Sequence, residues 1–321
     1  MKIYKPLAMS EIGRRSNQED AIFPAVGKAT VNDRLFIVCD GMGGHESGEV
    51  ASNCVVQSIS SCLKDVKPGD FSLTNFSDAL SYAYEQLDAL DNIPNNKKRM
   101  GTTLTFLYLG DKNILIAHIG DSRVYQLRQS SDGNVEIVHK TEDHSLVNDY
   151  VKAKLITPQE AKIHPQKNII TRAMQPHLEQ RCKATTFESD NVKAGDYFFL
   201  CSDGVIESVD DDMLINILGE PLSNEEKLNK IKEICSLYSN DNHTAYLIQI
   251  AEGLKSQNVN SSQKQSSENS AINKFDKTAK KEETEHLAKK RKEFNFKWLI
   301  IAITILTIII CVILTCSIKS S

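Results

Sequence analysis

Apolar residues along the first 251 positions fall into two kinds of block. Short, nearly unbroken runs cover Leu35–Cys39, Thr102–Leu109, Ile114–Ile119, Val124–Leu127, Val135–His139, Tyr197–Cys201 and Ala245–Ile250. Apolar runs of this length predict strands. Elsewhere the apolar positions recur every three to four residues, at Gly48–Leu63, Phe76–Leu90, Asp211–Leu218 and Glu225–Tyr238, which predicts amphipathic helices. GDKN at 110–113 reads as a hairpin turn. The strands between 102 and 139 follow one another with no helix between them, so the sheet is antiparallel and the class is α+β. No internal repeat is present.

The pattern changes after residue 251. SQNVNSSQKQSSENSAIN, at 256–273, is too polar to build a core. The expected organisation is a catalytic domain over 1–251, a polar and basic linker over 252–297, and one transmembrane helix over 298–318. WLIIAITILTIIICVILTCSI, at 298–318, carries no charge. As a helix it spans about 30 Å, the thickness of a bilayer's hydrocarbon. Lys289, Lys290, Arg291, Lys292 and Lys297 flank its N-terminal side, with only Lys319 beyond, so the preceding residues are expected in the cytoplasm.

Charge follows the same division. Residues 252–297 hold 11 Lys/Arg against 7 Asp/Glu, which leaves residues 1–251 at −9 within a chain of net −4. An acidic body does not suggest a nucleic-acid partner. MKIYKPLAM is too short and too polar for a secretory leader. The eight cysteines form no CxxC, and Cys39, Cys54, Cys62 and Cys201 lie in apolar runs, so buried free thiols are expected in place of disulfides or zinc.

The candidate chemistry lies at the strand ends. Asp40 ends FIVCD, Asp203 follows YFFLCS, Asp121 ends ILIAHIGD, and Asp241 precedes the last strand; Glu19 and Asp20 close GRRSNQED. Carboxylates gathered this way repel one another unless cations sit among them, and hard oxygen donors select Mg²⁺ or Mn²⁺. The glycine-rich DGMGG turn lacks the G-K-[ST] ending of a nucleotide-binding loop.

Eight segments in order carry a resemblance: RSNQED (15–20), FIVCDGMGGHESGE (36–49), MGTTLTFL (100–107), HIGDSRVY (118–125), TEDHSL (141–146), NIITRAM (168–174), FLCSDGV (199–205) and DNHTAYLI (241–248). Together they resemble the type-2C, metal-dependent Ser/Thr protein phosphatases, in particular the bacterial branch. The resemblance implies a four-layer α-β-β-α sandwich of two antiparallel sheets, with two Mn²⁺ or Mg²⁺ ions between them at one end. It implies Asp40 as the bridging ligand, the Gly41 carbonyl on the second metal, and Asp203 and Asp241 on the first. Asp121 corresponds to the ligand of a weaker third metal, Glu19 and Asp20 to the acidic pair near the second, and Arg15 to the arginine that grips phosphate. The implied reaction is hydrolysis of protein phosphoserine and phosphothreonine by a metal-activated bridging hydroxide, opposing Ser/Thr kinases at the cytoplasmic membrane face. The catalytic domain is expected to be monomeric. Met42 stands where eukaryotic relatives often place a proton-donating His; His45 is nearby, and a metal-bound water is the first choice of acid. NIITRAMQP departs from the usual R-A-L-G ending, and about 145–177 is the expected flap, a candidate for substrate choice. Alternatives of the same fold are an inactive metal-binding sensor or scaffold, and a phosphatase of small phosphate metabolites.

No Cys is followed six residues later by Arg, so the thiol-phosphatase loop is missing. Turnover of a phosphopeptide is therefore expected to need Mn²⁺ or Mg²⁺ and to survive thiol alkylation; activity unchanged in EDTA contradicts this.

Overall fold

The computed structural model describes residues 1–43, 47–91, 100–130 and 133–254. Gly44, His45, the basic segment after 254 and the apolar run 298–318 lie outside the described residues, among which no helix is long and apolar enough to cross a membrane. The chain divides into two units, Met1–Ser256 and Gln257–Ser321, and every described residue belongs to the first.

In chain order the elements are β1 (Lys2–Ile3), β2 (Leu7–Glu11), β3 (Ala21–Phe23), β4 (Leu35–Cys39), β5 (Gly41–Met42), α1 (Ser47–Leu63), α2 (Leu73–Leu90), β6 (Gly101–Thr102), β7 (Leu104–Leu109) and β8 (Ile114–Ile119). They continue with β9 (Arg123–Gln129), β10 (Val135–Lys140), α3 (Leu146–Lys152), α4 (Pro158–Ile163), β11 (Thr185–Ser189), β12 (Tyr197–Cys201), α5 (Asp203–Ile206), α6 (Asp211–Gly219), α7 (Asn224–Tyr238) and β13 (His243–Glu252). One sheet runs β1-β13-β12-β9-β10, with β2 also on β13; the other runs β11-β8-β7-β4-β3, and every pairing is antiparallel.

Alternation along the strands builds three apolar layers. In β4, Phe36 and Val38 join Phe198, Leu200, Tyr246 and Ile248 between the two sheets. Leu35, Ile37 and Cys39 point the other way, onto Ala51, Val55 and Ile59 of α1 and Phe76 and Ala83 of α2. On the far side, Tyr197, Phe199 and Cys201 of β12 meet Leu214 and Ile217 of α6 and Leu228 and Ile231 of α7. Both faces of β4 and β12 are therefore covered, and all their residues are buried, as their unbroken apolar runs require. The result is a helix–sheet–sheet–helix sandwich.

Several boundaries move for local reasons. The expected strand 102–109 breaks at Thr103, whose N–H donates to Asp40 O (2.9 Å) while its hydroxyl accepts the Asp40 N–H (2.9 Å). Gly101–Thr102 pairs instead with Gly41–Met42. Helix α2 starts three residues before the apolar spacing indicates, because Ser72 and Asn75 form a capping box. Cys39 and Cys201 are buried, but Cys54 is only half-buried and Cys62, expected inside, is exposed; the neighbouring Leu63 takes the inward position on α1.

Phe198 is fully buried between the sheets. Phe198→Ala is expected to cost about 3–5 kcal/mol, read as a lower denaturation midpoint at unchanged slope; a loss under about 1 kcal/mol would contradict the central placement.

Candidate metal centre

The sandwich delivers carboxylates to one end from four directions. Asp40 continues β4, and Thr103 and Thr102 hold its backbone: both Thr103 N–H and Thr102 Oγ1 donate to its carbonyl at 2.9 Å. Asp203 emerges from β12 as the first residue of α5. Asp121 follows β8, and Asp241 precedes β13. The glycines that follow Asp40 and Asp203 have a packing reason. A Cβ on Gly41 would lie 2.2 Å from the Gly48 carbonyl oxygen and 2.5 Å from that of Glu19. One on Gly204 would lie 2.0 Å from the Asn242 carbonyl oxygen. Only glycine lets α1 and the 13–20 and 241–242 segments close on the strand ends. The Gly41 carbonyl, the expected backbone ligand, lies against Gly48 at the start of α1.

The acids perturb one another strongly. Burial first, then the charges of Asp203, Asp20 and Asp121, push the Asp40 carboxyl well above its usual range, with the Asp203 carboxyl close by. Asp203 is raised to about 6, chiefly by burial and then by Asp241 and Glu207, with the Asp40 hydrogen bond and Arg15 opposing. Asp121 is pushed up to about 8 by burial, Asp203 and Asp143. Asp20 rises to about 7 through burial, although Ser202 Oγ donates to its Oδ2 at 2.8 Å. Glu19 is raised by burial, with Arg15 opposing. Asp20 thus titrates with Asp40 and Asp203, whereas Glu19 faces Arg15 and Asp241.

Arg15 is half-exposed and donates to Asp241 Oδ2, whose Oδ1 accepts the Asn242 N–H at 2.8 Å. Two of the acids have partners of their own, Asp241 with Arg15 and Asp20 with Ser202. Among the described residues no three acidic, His or Cys side chains stand as a ready-made ligand cluster. The reason is electrostatic: acids brought together without a counter-charge share protons or recruit an arginine.

The residues nevertheless fit a divalent cation. Asp121 Oδ1 and Asp203 Oδ1 are buried with no hydrogen-bond partner among the described residues. Uncompensated buried carboxylate oxygens are costly unless a cation or proton meets them. All candidate donors are hard oxygens, suited to Mg²⁺ or Mn²⁺.

Three supporting residues escaped the sequence reading. Asn242 accepts the Glu19 N–H on Oδ1 (2.8 Å) and donates through Nδ2 to Ile12 O (2.8 Å) and Asn17 O (2.9 Å), tying the acidic loop to Asp241. Ser202 links Asp20 to β13 by accepting the Thr244 N–H at 3.0 Å. Thr103 joins the Asp40 turn to the Asp121 turn through Ser122 Oγ at 2.8 Å. Asn242 and Ser202 each sit one residue from a candidate ligand, and that adjacency was the available signal.

This arrangement has counterparts. The Protein phosphatase 2C family matches residues 9–234. The chain belongs to the protein phosphatase 2C family. It is 35% identical over 207 residues to the serine/threonine protein phosphatase PstP of Mycobacterium tuberculosis, covering 64% of this chain and 37% of that protein. A putative 2C-type protein phosphatase of Streptococcus pyogenes is 33% identical over 253 residues, 74% of this chain and 94% of the relative. A crystal structure of the PstP catalytic domain in complex with two manganese ions aligns at a TM-score of 0.64 and 31% identity, covering 78% of this chain and all of that one. The match thus spans little more than a third of full-length PstP and nearly all of its 2C-type relative from S. pyogenes. Within this 2C fold, the sheets and flanking helices agree with the α+β expectation.

The raised acids set a pH dependence. Their folded-state pKa values exceed the unfolded ones, so the folded form keeps protons the unfolded chain has shed, and stability falls as pH rises from about 4 to 8. Asp203→Asn removes the charge facing Asp40, Asp20 and Asp121. In metal-free solution at pH 8 its Tm is expected to rise, by roughly 2–4 °C per kcal/mol recovered, with a flatter pH slope. A lower Tm at pH 8 contradicts the repulsion.

Proposed function

We propose that this chain hydrolyses phosphoserine and phosphothreonine in proteins, using two Mn²⁺ or Mg²⁺ ions, and that residues 298–318 hold it at a membrane with the catalytic unit on the cytoplasmic side. The observation that carries the reaction is the group of acids with raised pKa values and two orphaned buried oxygens at one end of the 2C sandwich. The manganese in the PstP relative supports the choice of metal.

In this reading Asp40, Asp203 and Asp241, with the Gly41 carbonyl, hold the two ions. Glu19 and Asp20 complete the second site and Asp121 serves a weaker third. When bound, the ions supply Lewis acidity toward water and phosphate oxygen. The chain's own contribution is preorganisation. Thr102 and Thr103 fix the backbone of Asp40, and Asn242 fixes Glu19, so the donors are placed before any ligand arrives. Arg15 pairs with Asp241 through an exposed guanidinium. Once a cation satisfies Asp241, that guanidinium is free to take two oxygens of a phosphate monoester. Met42 has no proton to give, so the leaving alkoxide's proton does not come from that position.

The membrane reading rests on the uncharged run of 21 residues and its five cationic neighbours. A tethered enzyme meets membrane-bound phosphoproteins, such as membrane kinases, at raised effective concentration.

Turnover of phosphothreonine peptide should exceed that of free phosphothreonine and should vanish in Asp40→Ala and Asp241→Ala. Arg15→Ala should mainly raise KM. Equal turnover of free phosphoamino acids would favour a metabolite phosphatase. The full chain should resist carbonate extraction from membranes; complete extraction would remove the anchor.

A further inference from the structure

Thr141–His144 spend their polar groups on the turn that carries Asp121. Thr141 donates its N–H to Val124 O (3.0 Å) and accepts the Val124 N–H on its hydroxyl (2.9 Å). Asp143 accepts two hydrogen bonds from Arg123, each 2.7 Å. His144 donates its N–H to Gly120 O (2.9 Å) and accepts the Gly120 N–H on Nδ1 (3.1 Å). Both polar backbone groups of Gly120, immediately before Asp121, thus belong to one histidine.

Asp121 needs such support. Its buried Oδ1 has no hydrogen-bond partner among the described residues, and Asp203 and Asp143 repel its charge. A carboxylate with one buried oxygen left unpaired depends on its backbone for its position. That backbone is unusual: Gly120 has φ +103°, and a Cβ there would lie 2.6 Å from the Thr103 methyl.

We propose that His144 is a positioning residue: by holding both polar groups of Gly120 it fixes the Asp121 carboxylate where that group takes a divalent cation. This rests on the reading of Asp121 as a metal ligand. A neutral imidazole suits the task. The Gly120 N–H only donates, so Nδ1 is the acceptor and Nε2 carries the hydrogen. Nε2–H then donates to Thr185 Oγ1 at 2.9 Å, while the Arg172 guanidinium lies farther from the same nitrogen, at 3.5 Å. The ring stacks on His118 with centroids 4.4 Å apart and planes at 9°, which fixes its tilt.

The competing role is purely structural, a strut from Nε2 to β11. Conservative replacements separate the two nitrogens. Asn puts an amide oxygen near the place of Nδ1, whereas Gln puts an amide nitrogen near that of Nε2 and leaves the Gly120 N–H unpaired. The test is calorimetric titration of the purified full chain with Mn²⁺, for wild type, Asp121→Asn, His144→Asn, His144→Gln and Thr185→Val, each checked for folding by thermal melting. Asp121→Asn should lose the weakest Mn²⁺ component. His144→Gln should weaken that component ~10-fold or more, as loss of a group that orients a ligand does. His144→Asn and Thr185→Val should stay within about threefold of wild type by the same reasoning, and the tighter components should not move. Wild-type binding in His144→Gln, or equal weakening in His144→Asn and His144→Gln, overturns the inference while leaving Asp121 a ligand. Unchanged binding in Asp121→Asn removes that ligand role and the inference with it. Should His144→Gln fail to fold, weakened binding in Thr185→Val overturns the inference, and wild-type binding in both Thr185→Val and His144→Asn supports it.

Discussion

Mutual repulsion among carboxylates governs one end of this sandwich. Asp20, Asp121 and Asp203 each raise the pKa of Asp40, Asp203 also raises those of Asp20 and Asp121, and burial removes the water that would screen them. A fold optimised for stability alone would not gather them. Here the gathering is enforced by backbone contacts that cannot relax. Gly41 is pressed against Gly48 and Glu19, Gly204 against Asn242, and Gly120 against Thr103. The repulsion is therefore stored at the site, ready to be relieved by cations.

The layers explain how that storage is tolerated. The turns that carry Asp40, Asp121 and Asp203 each follow a strand whose residues are all buried, so the three apolar layers fix those strand ends before the acids interact. Hydroxyl and amide groups then complete the frame. Thr103 connects the Asp40 and Asp121 turns, Ser202 connects Asp20 to β13, and Asn242 connects the acidic loop to Asp241. Apart from Ser202, which donates to Asp20, these neutral groups satisfy the backbone, and Asp121 Oδ1 and Asp203 Oδ1 keep no partner among the described residues.

Much of this was legible in the sequence because strong, short-range signals carried it. Runs such as LFIVC and YFFLC can only be doubly covered strands, and the aspartates ending them fall where the strands surface. Short polar pieces were not legible. β11 is mostly exposed and forms only because it pairs with the edge of β8. β5 and β6 are two residues each and exist because Thr103 abandons the main sheet for Asp40. Arg15 and Asp241 were both expected at the site, but not as a pair. That follows from three-dimensional charge balance, which no spacing encodes.

The central claim is that the same buried carboxyls are neutralised by protons in metal-free protein and by divalent cations when these bind. Proton release on Mn²⁺ binding tests it directly, measured on the full chain by calorimetry in buffers of differing ionisation enthalpy. With Asp20 near 7, Asp121 near 8 and Asp40 pushed well above its usual range, binding at pH 6 should expel more than one proton per chain, and the number should fall as pH approaches 9. Mn²⁺ binding at pH 6 with no proton release would contradict the account.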